Sequence, residues 1–373
     1  MKHRSSSGRD ESFTYVYHRR QWLWLFKLVD GLGGRIHQPA SGVPDLSRAR
    51  SILVLKLDQI GDLVLTEPLL AQLKVRAPSA RLRLVVGAER RQIAELIPEC
   101  DEIFELPVRL SPRPRIVNLP AFFKAVKRLR DTRPEVIVAP KEDPLTVLLS
   151  WMLGAPIRIG FREGGLGFLL THAVPVDPET PQFAVLAALS GLREMPEPPR
   201  LVPRDDDHRA ATKMLEEFRL PLGLPVIVVH PGARLPEKQW PKEAFIETME
   251  RMSREQPFAF LWVRDANTGN TNVNLDARSW LRELPALELG VFAALLSRTD
   301  LLLGNDSAPA HIAAAVGTPV VVVFLSGENP RRWGPPEKDC ELVHGGPGQL
   351  PTPEAVSRRC VDFLRGQRRV STS

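Results

Sequence analysis

Three short segments of this 373-residue chain combine residue types that bind or move charged groups. In the first, Lys56 to Asp62, Gly61 permits a ligand to approach the backbone closely. The carboxylate of Asp62 stands at the predicted start of a helix. It can remove a proton from a hydroxyl group, or it can cap the helix by accepting a backbone hydrogen bond. Capping is the commoner role of such an aspartate, so this segment alone does not predict catalysis.

The second segment runs from His230 to Pro241 and ends at a proline, which is tolerated in the first turn of a helix. Gly232 turns the chain after a strand, and Lys238 lies shortly before the helix. The Lys238 ammonium is a compact charge that suits a diphosphate. The alternative is an ordinary solvated lysine on the surface.

The third segment, Gly304 to His311, again leads from a strand into a helix. Free backbone N–H groups at a helix start bind anions, and the small Ser307 and Ala308 let phosphate oxygens reach them. Asp306 can accept hydrogen bonds from sugar hydroxyls or cap the helix, and a packed role explains His311 more simply than a catalytic one. The chain has no GxGxxG motif and no Walker loop, which argues against NAD binding and ATP hydrolysis.

The elements that must position these segments alternate between strand and helix. Apolar runs typical of buried strands occur at 52–55, 82–86, 103–106, 136–138, 157–160, 226–229, 258–263, 300–303 and 320–324. Helices are predicted at 63–75, 122–129, 144–151, 207–219, 242–254, 290–297, after Ser307, and at 353–366. This alternation predicts α/β architecture with parallel sheets. Ligands bind at the carboxyl ends of such strands, which is where all three segments lie.

The chain length predicts two domains. Four prolines mark 196–206 as the linker between two facing Rossmann-like halves. We therefore expect an N-terminal extension at 1–50, a first domain at 51–200, a second domain at 207–350, and a C-terminal helix and tail at 351–373. Regular structure is expected to start at Ser51.

Residues 13–36 of the extension mix aromatic side chains with arginine and lysine. A basic, aromatic-rich helix can lie in the interface of an anionic membrane. It can also simply pack on the folded body of the protein. The sequence leaves both interpretations open.

The formal charge of +6 suits an anionic substrate, an acidic membrane surface or nucleic acid. Nucleic acid is disfavoured because no recognised binding motif accompanies the charge. Three separated cysteines, Cys100, Cys340 and Cys360, form no metal-spaced set, and neither a metal site nor a cofactor is predicted. The absence of a signal peptide and of a long apolar stretch predicts a cytoplasmic protein.

Taken together, the segments resemble glycosyltransferase family 9, the bacterial ADP-heptose:lipopolysaccharide heptosyltransferases. The resemblance rests on Asp58-Gln59-Ile60-Gly61-Asp62, the segment 230–241, Asp306-Ser307-Ala308 followed by His311, and the stretches 320–324, 328–330 and 332–335. These matches follow the family's order and spacing over roughly residues 50–365.

This resemblance implies a GT-B fold, with an N-terminal domain for the acceptor and a C-terminal domain for the nucleotide-sugar donor. It implies an inverting, metal-independent transfer of a sugar, heptose from ADP-heptose, to lipopolysaccharide or a related surface glycan. The reaction would take place at the inner face of the cytoplasmic membrane. By motif position, Asp62 is the general base, Lys238 neutralises phosphate, and Asp306 holds the hydroxyls of the donor sugar. The amides of Ser307 and Ala308 contact the diphosphate.

The resemblance adds Gly232 and His311 to the donor-binding set, and Asp58 and Gly61 to the acceptor-binding set. Charge alone adds Arg162 to the acceptor-binding set and Arg113, Arg115 and Arg158 as further acceptor contacts, with solvated surface as the alternative for all four. The chain departs from the family at 262–275, where Asn267, Asn270, Asn272 and Asn274 stand in place of a glycine-rich turn and a glutamate that contacts ribose.

Two other functions suit the same fold. One is a non-catalytic protein that binds a nucleotide sugar, which would have no need of a base at Asp62. The other is a different nucleotide-sugar enzyme such as a GT-B epimerase, which would need further carboxylates or histidines in the cleft.

Overall fold

The computed structural model describes residues 20–109, 115–116, 118–221, 223–264, 279–325, 329–336, 340–345 and 349–371. The strands within them are β1 (Ala40–Ser41), β2 (Ser51–Leu55), β3 (Arg81–Gly87), β4 (Glu102–Leu106), β5 (Val108–Arg109), β6 (Arg115–Ile116), β7 (Val136–Ala139), β8 (Ile157–Phe161), β9 (His172–Val174), β10 (Val226–His230), β11 (Ala259–Val263), β12 (Leu281–Leu284), β13 (Leu301–Asn305), β14 (Val320–Phe324) and β15 (Cys340–His344).

The helices pack on these strands and connect them. They are α1 (Arg20–Ile36), α2 (Ile60–Val64), α3 (Glu67–Arg76), α4 (Arg91–Ala94), α5 (Leu119–Asp131), α6 (Pro144–Leu153), α7 (Gln182–Ala187), α8 (Asp205–Glu217), α9 (Lys242–Glu255), α10 (Leu289–Leu296), α11 (Ala308–Ala315), α12 (Pro330–Trp333) and α13 (Pro353–Ser371).

Two separate sheets carry the fold, and every pairing within them is parallel. The first has the order β1-β9-β8-β7-β2-β3-β4, and the second has the order β12-β11-β10-β13-β14-β15. A small antiparallel pair, β5 and β6, follows the first sheet's edge strand β4. The prediction of an α/β protein with two parallel sheets is confirmed.

The central strands of both sheets are apolar because helices cover both of their faces. Residues 52–55 in β2 and 320–323 in β14 are fully buried. The carboxyl end of β2 leads into α2, and that of β13 leads into α11. The loop after β10 continues to α9. These three connections are the segments that the sequence singled out.

Four strands at or next to the sheet edges were missed, although the edge strand β4 was predicted. β1, β12 and β15 are edge strands, and β9 pairs with β1. They are short or carry polar residues between apolar ones, so they lack the continuous apolar run that marks a central strand. The expectation that regular structure starts at Ser51 was wrong, because α1 and β1 precede it, and β1 extends the first sheet by pairing with β9.

The predicted helix at 63–75 is two helices, α2 and α3, separated at Leu65 and Thr66. Pro68 stands in the first turn of α3 and has no N–H to donate to the preceding turn, so one continuous helix cannot run through this position. The break makes α2 a short helix whose first turn carries Asp62.

Helix α1 packs on the first domain. The Asp30 carboxylate accepts a hydrogen bond from the Leu166 amide at 2.7 Å, and Gly33 lies directly against the Phe168 ring. On another side α1 exposes Leu28, Leu32 and Ile36, which are spaced one helical turn apart. The helix therefore packs on the body and still presents an apolar stripe. No helix in the described ranges is long and apolar enough to cross a membrane.

The predicted linker ends where α8 begins, at Asp205. Its backbone bonds to both halves of the molecule: the Arg200 amide to Glu67 at 2.9 Å, the Leu201 amide to the Ala315 carbonyl at 2.8 Å, and the Val202 amide to the Leu96 carbonyl at 2.8 Å.

Candidate active site

A cleft of about 520 Å³ lies between the two domains, where α2 of the first faces α11 of the second. Residues from all three segments line it, together with α12 and the turn after β3. The lining residues are Gln59, Ile60, Gly61, Asp62, Leu65, Glu89, Arg90, His230, Ala233, Arg234, Leu235, Lys238, Asp306, Ser307, Ala308, Pro309, His311 and Trp333.

The partly buried Asp62 forms part of the first domain's wall. The extended residue Gln59 begins α2, so Asp62 is in the first turn rather than at the cap position. Its carboxylate accepts a hydrogen bond from the Gln59 backbone amide and also faces the cleft. The two interpretations offered by the sequence, helix-end partner and cleft carboxylate, therefore coexist.

The two carboxylates in this segment, Asp58 and Asp62, have pKa values that are shifted in opposite directions. Asp58 lies 2.9 Å from the Lys56 ammonium and 2.5 Å from that of Lys141. Burial raises the pKa of Asp58, but these two cations outweigh it and hold the pKa below its usual value. Burial also raises the pKa of Asp62, the charge of Asp58 raises it further, and the more distant lysines do not cancel the rise.

Asp58 is therefore a permanent anion that neutralises the lysines, and Asp62 is the carboxylate with the higher proton affinity. Two acids whose environments drive their pKa values apart take different roles. The one with the raised pKa is the better base, provided that it faces the substrate. Of the two, Asp62 alone lines the cleft.

The second domain's wall centres on an ion pair. The Lys238 ammonium lies 2.6 Å from Asp306 Oδ2, and the two side chains are 17% and 8% exposed. Asn305 joins the loops that carry this pair. It is fully buried, donates to the Pro231 carbonyl at 2.7 Å and accepts from the Trp240 amide at 3.0 Å. This amide bridge fixes the loop after β10 against the loop after β13.

Helix α11 begins at the cleft with small residues. Ser307 is its cap residue, but the Ser307 hydroxyl donates back to the Asn305 carbonyl at 3.2 Å and makes no capping bond. The first amides of α11 are therefore not occupied by that side chain, and Ala308 and Pro309 add no bulk above them. The start of this eight-residue helix attracts an anion.

His311 connects the two walls by packing. A Cβ placed on Gly61 would lie 2.9 Å from His311 Cδ2, so the two domains approach this closely only because residue 61 is glycine. Burial lowers the pKa of His311 to about 4, Asp306 opposes the fall, and Lys238 adds to it. The imidazole is thus neutral at pH 7, and its buried Nδ1 has no hydrogen-bond partner among the described residues.

Three predicted site residues do not line the cleft. Gly232 is buried in the loop just before Ala233, and Asp58 is buried behind Asp62. Arg162 is exposed at the far end of β8, where it donates to the Ser41 hydroxyl at 3.3 Å.

The other candidates suggested by charge alone are Arg158, Arg113 and Arg115. Arg158 donates to the carbonyls of Leu169 and Ala155, a structural role. The side chain of Arg115, Arg113 itself and the four asparagines at 267–274 lie outside the described residues.

Sequence reasoning missed Arg90 and the bridging role of Arg332. Arg90 lines the cleft, is 5% exposed, and donates to the Asp58 carbonyl at 3.0 Å, which orders the segment that carries Asp62. Arg332 reaches across to the first domain, 3.4 Å from Glu142 and 3.3 Å from Gln182. No local signal marks Arg90. The stretch 332–335 was noted for its resemblance, without a role for Arg332.

Among the described residues, no group of three or more histidine, cysteine, aspartate or glutamate side chains could hold a metal ion. Positive charge in the cleft comes instead from Arg90, Arg234 and Lys238, and from the start of α11.

The profile of glycosyltransferase family 9 (heptosyltransferase) matches residues 123–358. The chain belongs to this family. It is thus a glycosyltransferase, a finding that favours transfer over the binding protein and the epimerase considered above. Lipopolysaccharide heptosyltransferase 2 of Salmonella typhimurium is 24% identical over 297 residues, which cover 73% of this chain and 82% of the relative.

Solved structures show that the glycosyltransferase has the GT-B fold. A family 9 glycosyltransferase from Veillonella parvula superposes with a TM-score of 0.73 at 20% identity, covering 85% of this chain and 98% of the other. The ADP-heptose lps heptosyltransferase II of E. coli superposes with a TM-score of 0.69 at 21% identity, covering 85% and 99%. The fold implied by the sequence resemblance is confirmed.

Proposed function

We propose that this glycosyltransferase transfers heptose from ADP-heptose to a lipopolysaccharide core acceptor, with inversion at the anomeric carbon and without a metal ion. One observation carries the proposal: Asp62 on the first domain and the Lys238–Asp306 pair on the second line the same cleft. The relatives named for lipopolysaccharide and ADP-heptose supply the identity of the substrates.

The base acts from the first domain. Asp62 takes the proton of the acceptor hydroxyl as its oxygen attacks the anomeric carbon. Attack comes from the face opposite the leaving group, which inverts the configuration. The raised pKa of Asp62 suits this step, because a stronger base removes more of the proton in the transition state. Burial and the nearby charge of Asp58 keep that pKa raised although Lys56 and Lys141 oppose the rise.

The leaving group is stabilised from the second domain. The bond between the anomeric carbon and the diphosphate oxygen breaks, and ADP departs with the electron pair. Lys238 and the amides at the start of α11 face the place where this negative charge grows, which lowers the barrier without a metal cation. Asp306, paired with Lys238, then accepts hydrogen bonds from the sugar hydroxyls.

The donor site is tested by calorimetric titration of ADP, UDP and GDP into the purified protein in the presence of EDTA. We expect ADP to bind most tightly, and Lys238→Ala to weaken it. Tighter binding of UDP or GDP, or binding that requires a divalent cation, would refute this part of the proposal. Inversion is tested separately, by NMR assignment of the anomeric configuration in the product.

We also propose that the enzyme works at the inner face of the cytoplasmic membrane, with residues 13–36 in contact with anionic lipid. The exposed stripe Leu28, Leu32 and Ile36 on α1, flanked by Arg35, supports this contact. The test is sedimentation with vesicles that contain phosphatidylglycerol. Binding that survives deletion of residues 13–36 would contradict it.

A further inference from the structure

The first domain has a second cavity, apart from the cleft, of about 470 Å³. It lies between β4, which is the edge strand of the first sheet, and helix α5. We call it the α5 groove. Its volume falls in the range of sites that hold one small ligand or one sugar-sized group.

The α5 groove has an apolar floor and a charged rim. Leu129 is buried in the floor, beside the half-buried Ile103 and Ala125. The rim is formed by exposed charged side chains, which are Arg91, Glu105, Lys124 and Arg128. This distribution is typical of a ligand site, with apolar walls for contact area and a few charged groups for orientation.

The rim carries more positive charge than the protein neutralises. Arg91 is paired, 2.9 Å from Glu95 and 3.9 Å from Glu105. Arg128 lies over the Phe104 ring at 5.3 Å, an arrangement that holds its position without cancelling its charge. Neither Lys124 nor Arg128 has an acidic partner within ion-pair distance among the described residues.

The α5 groove adjoins the acceptor side of the cleft. Arg90 lines the cleft, and the next residue, Arg91, lines the groove. The two cavities therefore share the segment between β3 and α4. The donor loops belong to the other domain, and the proposed function places the acceptor on the domain that carries the groove.

We propose that the α5 groove binds a phosphate group on the acceptor glycan, with Lys124 and Arg128 as its ligands. Lysine contributes a compact charge, and arginine contributes a planar pair of donors that matches phosphate oxygens. The identity of the acceptor rests on the proposed function, but the groove's preference for phosphate does not. Phosphate on a sugar and phosphate on a bilayer lipid share this chemistry, and we assign the groove to the sugar.

The direct test is calorimetric titration of pyrophosphate at low ionic strength, in the presence of saturating ADP, which occupies the donor site. The variant is Lys124→Ala/Arg128→Ala, and the matched control is Lys127→Ala/Arg130→Ala. The control removes the same charges from exposed positions of the same helix that do not line the groove. We expect the first variant to weaken binding about tenfold or more, and the control to change it less than about twofold.

The second test measures transfer to a water-soluble, deacylated lipopolysaccharide core oligosaccharide before and after phosphatase treatment. Lys124→Ala/Arg128→Ala should raise the acceptor KM about tenfold for the phosphorylated form and leave the KM for the dephosphorylated form unchanged. The donor KM should stay at its wild-type value, because the donor loops are untouched. Thermal unfolding confirms that each variant is folded.

Equal effects of the two double variants would refute the proposal, since surface charge in general would then be responsible. Unchanged pyrophosphate binding in Lys124→Ala/Arg128→Ala would refute it as well. Loss of binding to phosphatidylglycerol vesicles in that variant, with unchanged KM values, would assign the phosphate to the bilayer instead and overturn the sugar assignment. If the wild type transfers no heptose, the proposed function fails, and the pyrophosphate titration still decides whether the groove binds phosphate.

Discussion

The Lys238 ammonium has two proposed roles, to neutralise Asp306 and to contact the diphosphate of the donor. Replacing Lys238 with methionine, alone and together with Asp306→Asn, separates them. Without the ammonium, the Asp306 carboxylate loses its cationic partner in a site where it is only 8% exposed, 2.6 Å from the vacated position. Removing one partner of a buried pair costs about 3–5 kcal/mol. Lys238 is itself 17% exposed, so water can reach part of the site, and we expect a loss of about 2–3 kcal/mol in the free energy of unfolding.

The double variant Lys238→Met/Asp306→Asn removes both charges and keeps the shapes. Its unfolding free energy should return to within about 1 kcal/mol of the wild type, because no isolated charge remains. Its affinity for ADP should not recover. A charge-assisted contact to phosphate contributes about 1.5–3 kcal/mol, which corresponds to a roughly ten- to hundredfold rise in Kd for both variants.

Urea denaturation measures the first quantity, and calorimetric titration of ADP measures the second. Lys213→Met is the control, since Lys213 is 78% exposed and lies 3.8 Å from Glu217, which is 66% exposed, and we expect it to change neither quantity. Recovery of ADP affinity in the double variant would refute the reasoning. It would mean that Lys238 serves only to neutralise Asp306 and does not contact the diphosphate.

Three further predictions follow from the cleft and the domain junction. Asp62→Asn should lower kcat about 10²–10⁴-fold and leave the Kd for ADP within about twofold. The wild-type rate should fall as the pH drops through the raised pKa of Asp62. A variant with near-wild-type kcat in a steady-state assay would remove Asp62 from the reaction. Gly61→Ala should lower kcat by roughly tenfold or more, because its methyl group would meet the His311 ring at 2.9 Å and displace one domain from the other. The control is Gly34→Ala, where the added methyl group has open space. Equal kcat values for the two variants would contradict this account. Glu67 is 4% exposed, and burial raises its pKa to about 7, so the folded state binds its proton more tightly than the unfolded state does. The unfolding free energy should therefore decline by at most about 3 kcal/mol as the pH rises from about 4.5 to beyond 7. Glu67→Gln should abolish that decline in denaturant titrations at several pH values.

The central elements of the fold are readable from the sequence because each reports its own environment. A strand covered by helices on both faces must be apolar at every position, and residues 52–55 and 320–324 show this without reference to the rest of the chain. The edge strands β12 and β15 receive only part of that cover, so their polar residues hide them. The break between α2 and α3 was predictable in principle from Pro68, but the apolar spacing of 63–75 obscured it.

Part of the candidate site could likewise be predicted from the sequence, and part of it could not. Asp62, Lys238 and Asp306 could be nominated because loops at the carboxyl ends of strands bind ligands, and because their order along the chain resembles a known family. Their alternative roles as caps or solvated residues could not be separated there, because a cap and a base have the same side chain. The structure supplies the missing partners: Lys238 pairs with Asp306, and Asp62 accepts from the Gln59 amide and also faces the cleft.

The sequence by itself determined the architecture, the family and the residues at each strand end, because these depend on local periodicity and on the order of motifs. Only the tertiary structure decided which of those residues share a cleft, how burial and neighbouring charges shift the pKa values of Asp58 and Asp62 in opposite directions, and that Arg90 belongs to the site. The α5 groove is likewise a product of the tertiary structure. Charge interactions and cavities depend on distances of a few ångströms between residues far apart in the chain, and nothing in local spacing encodes those distances.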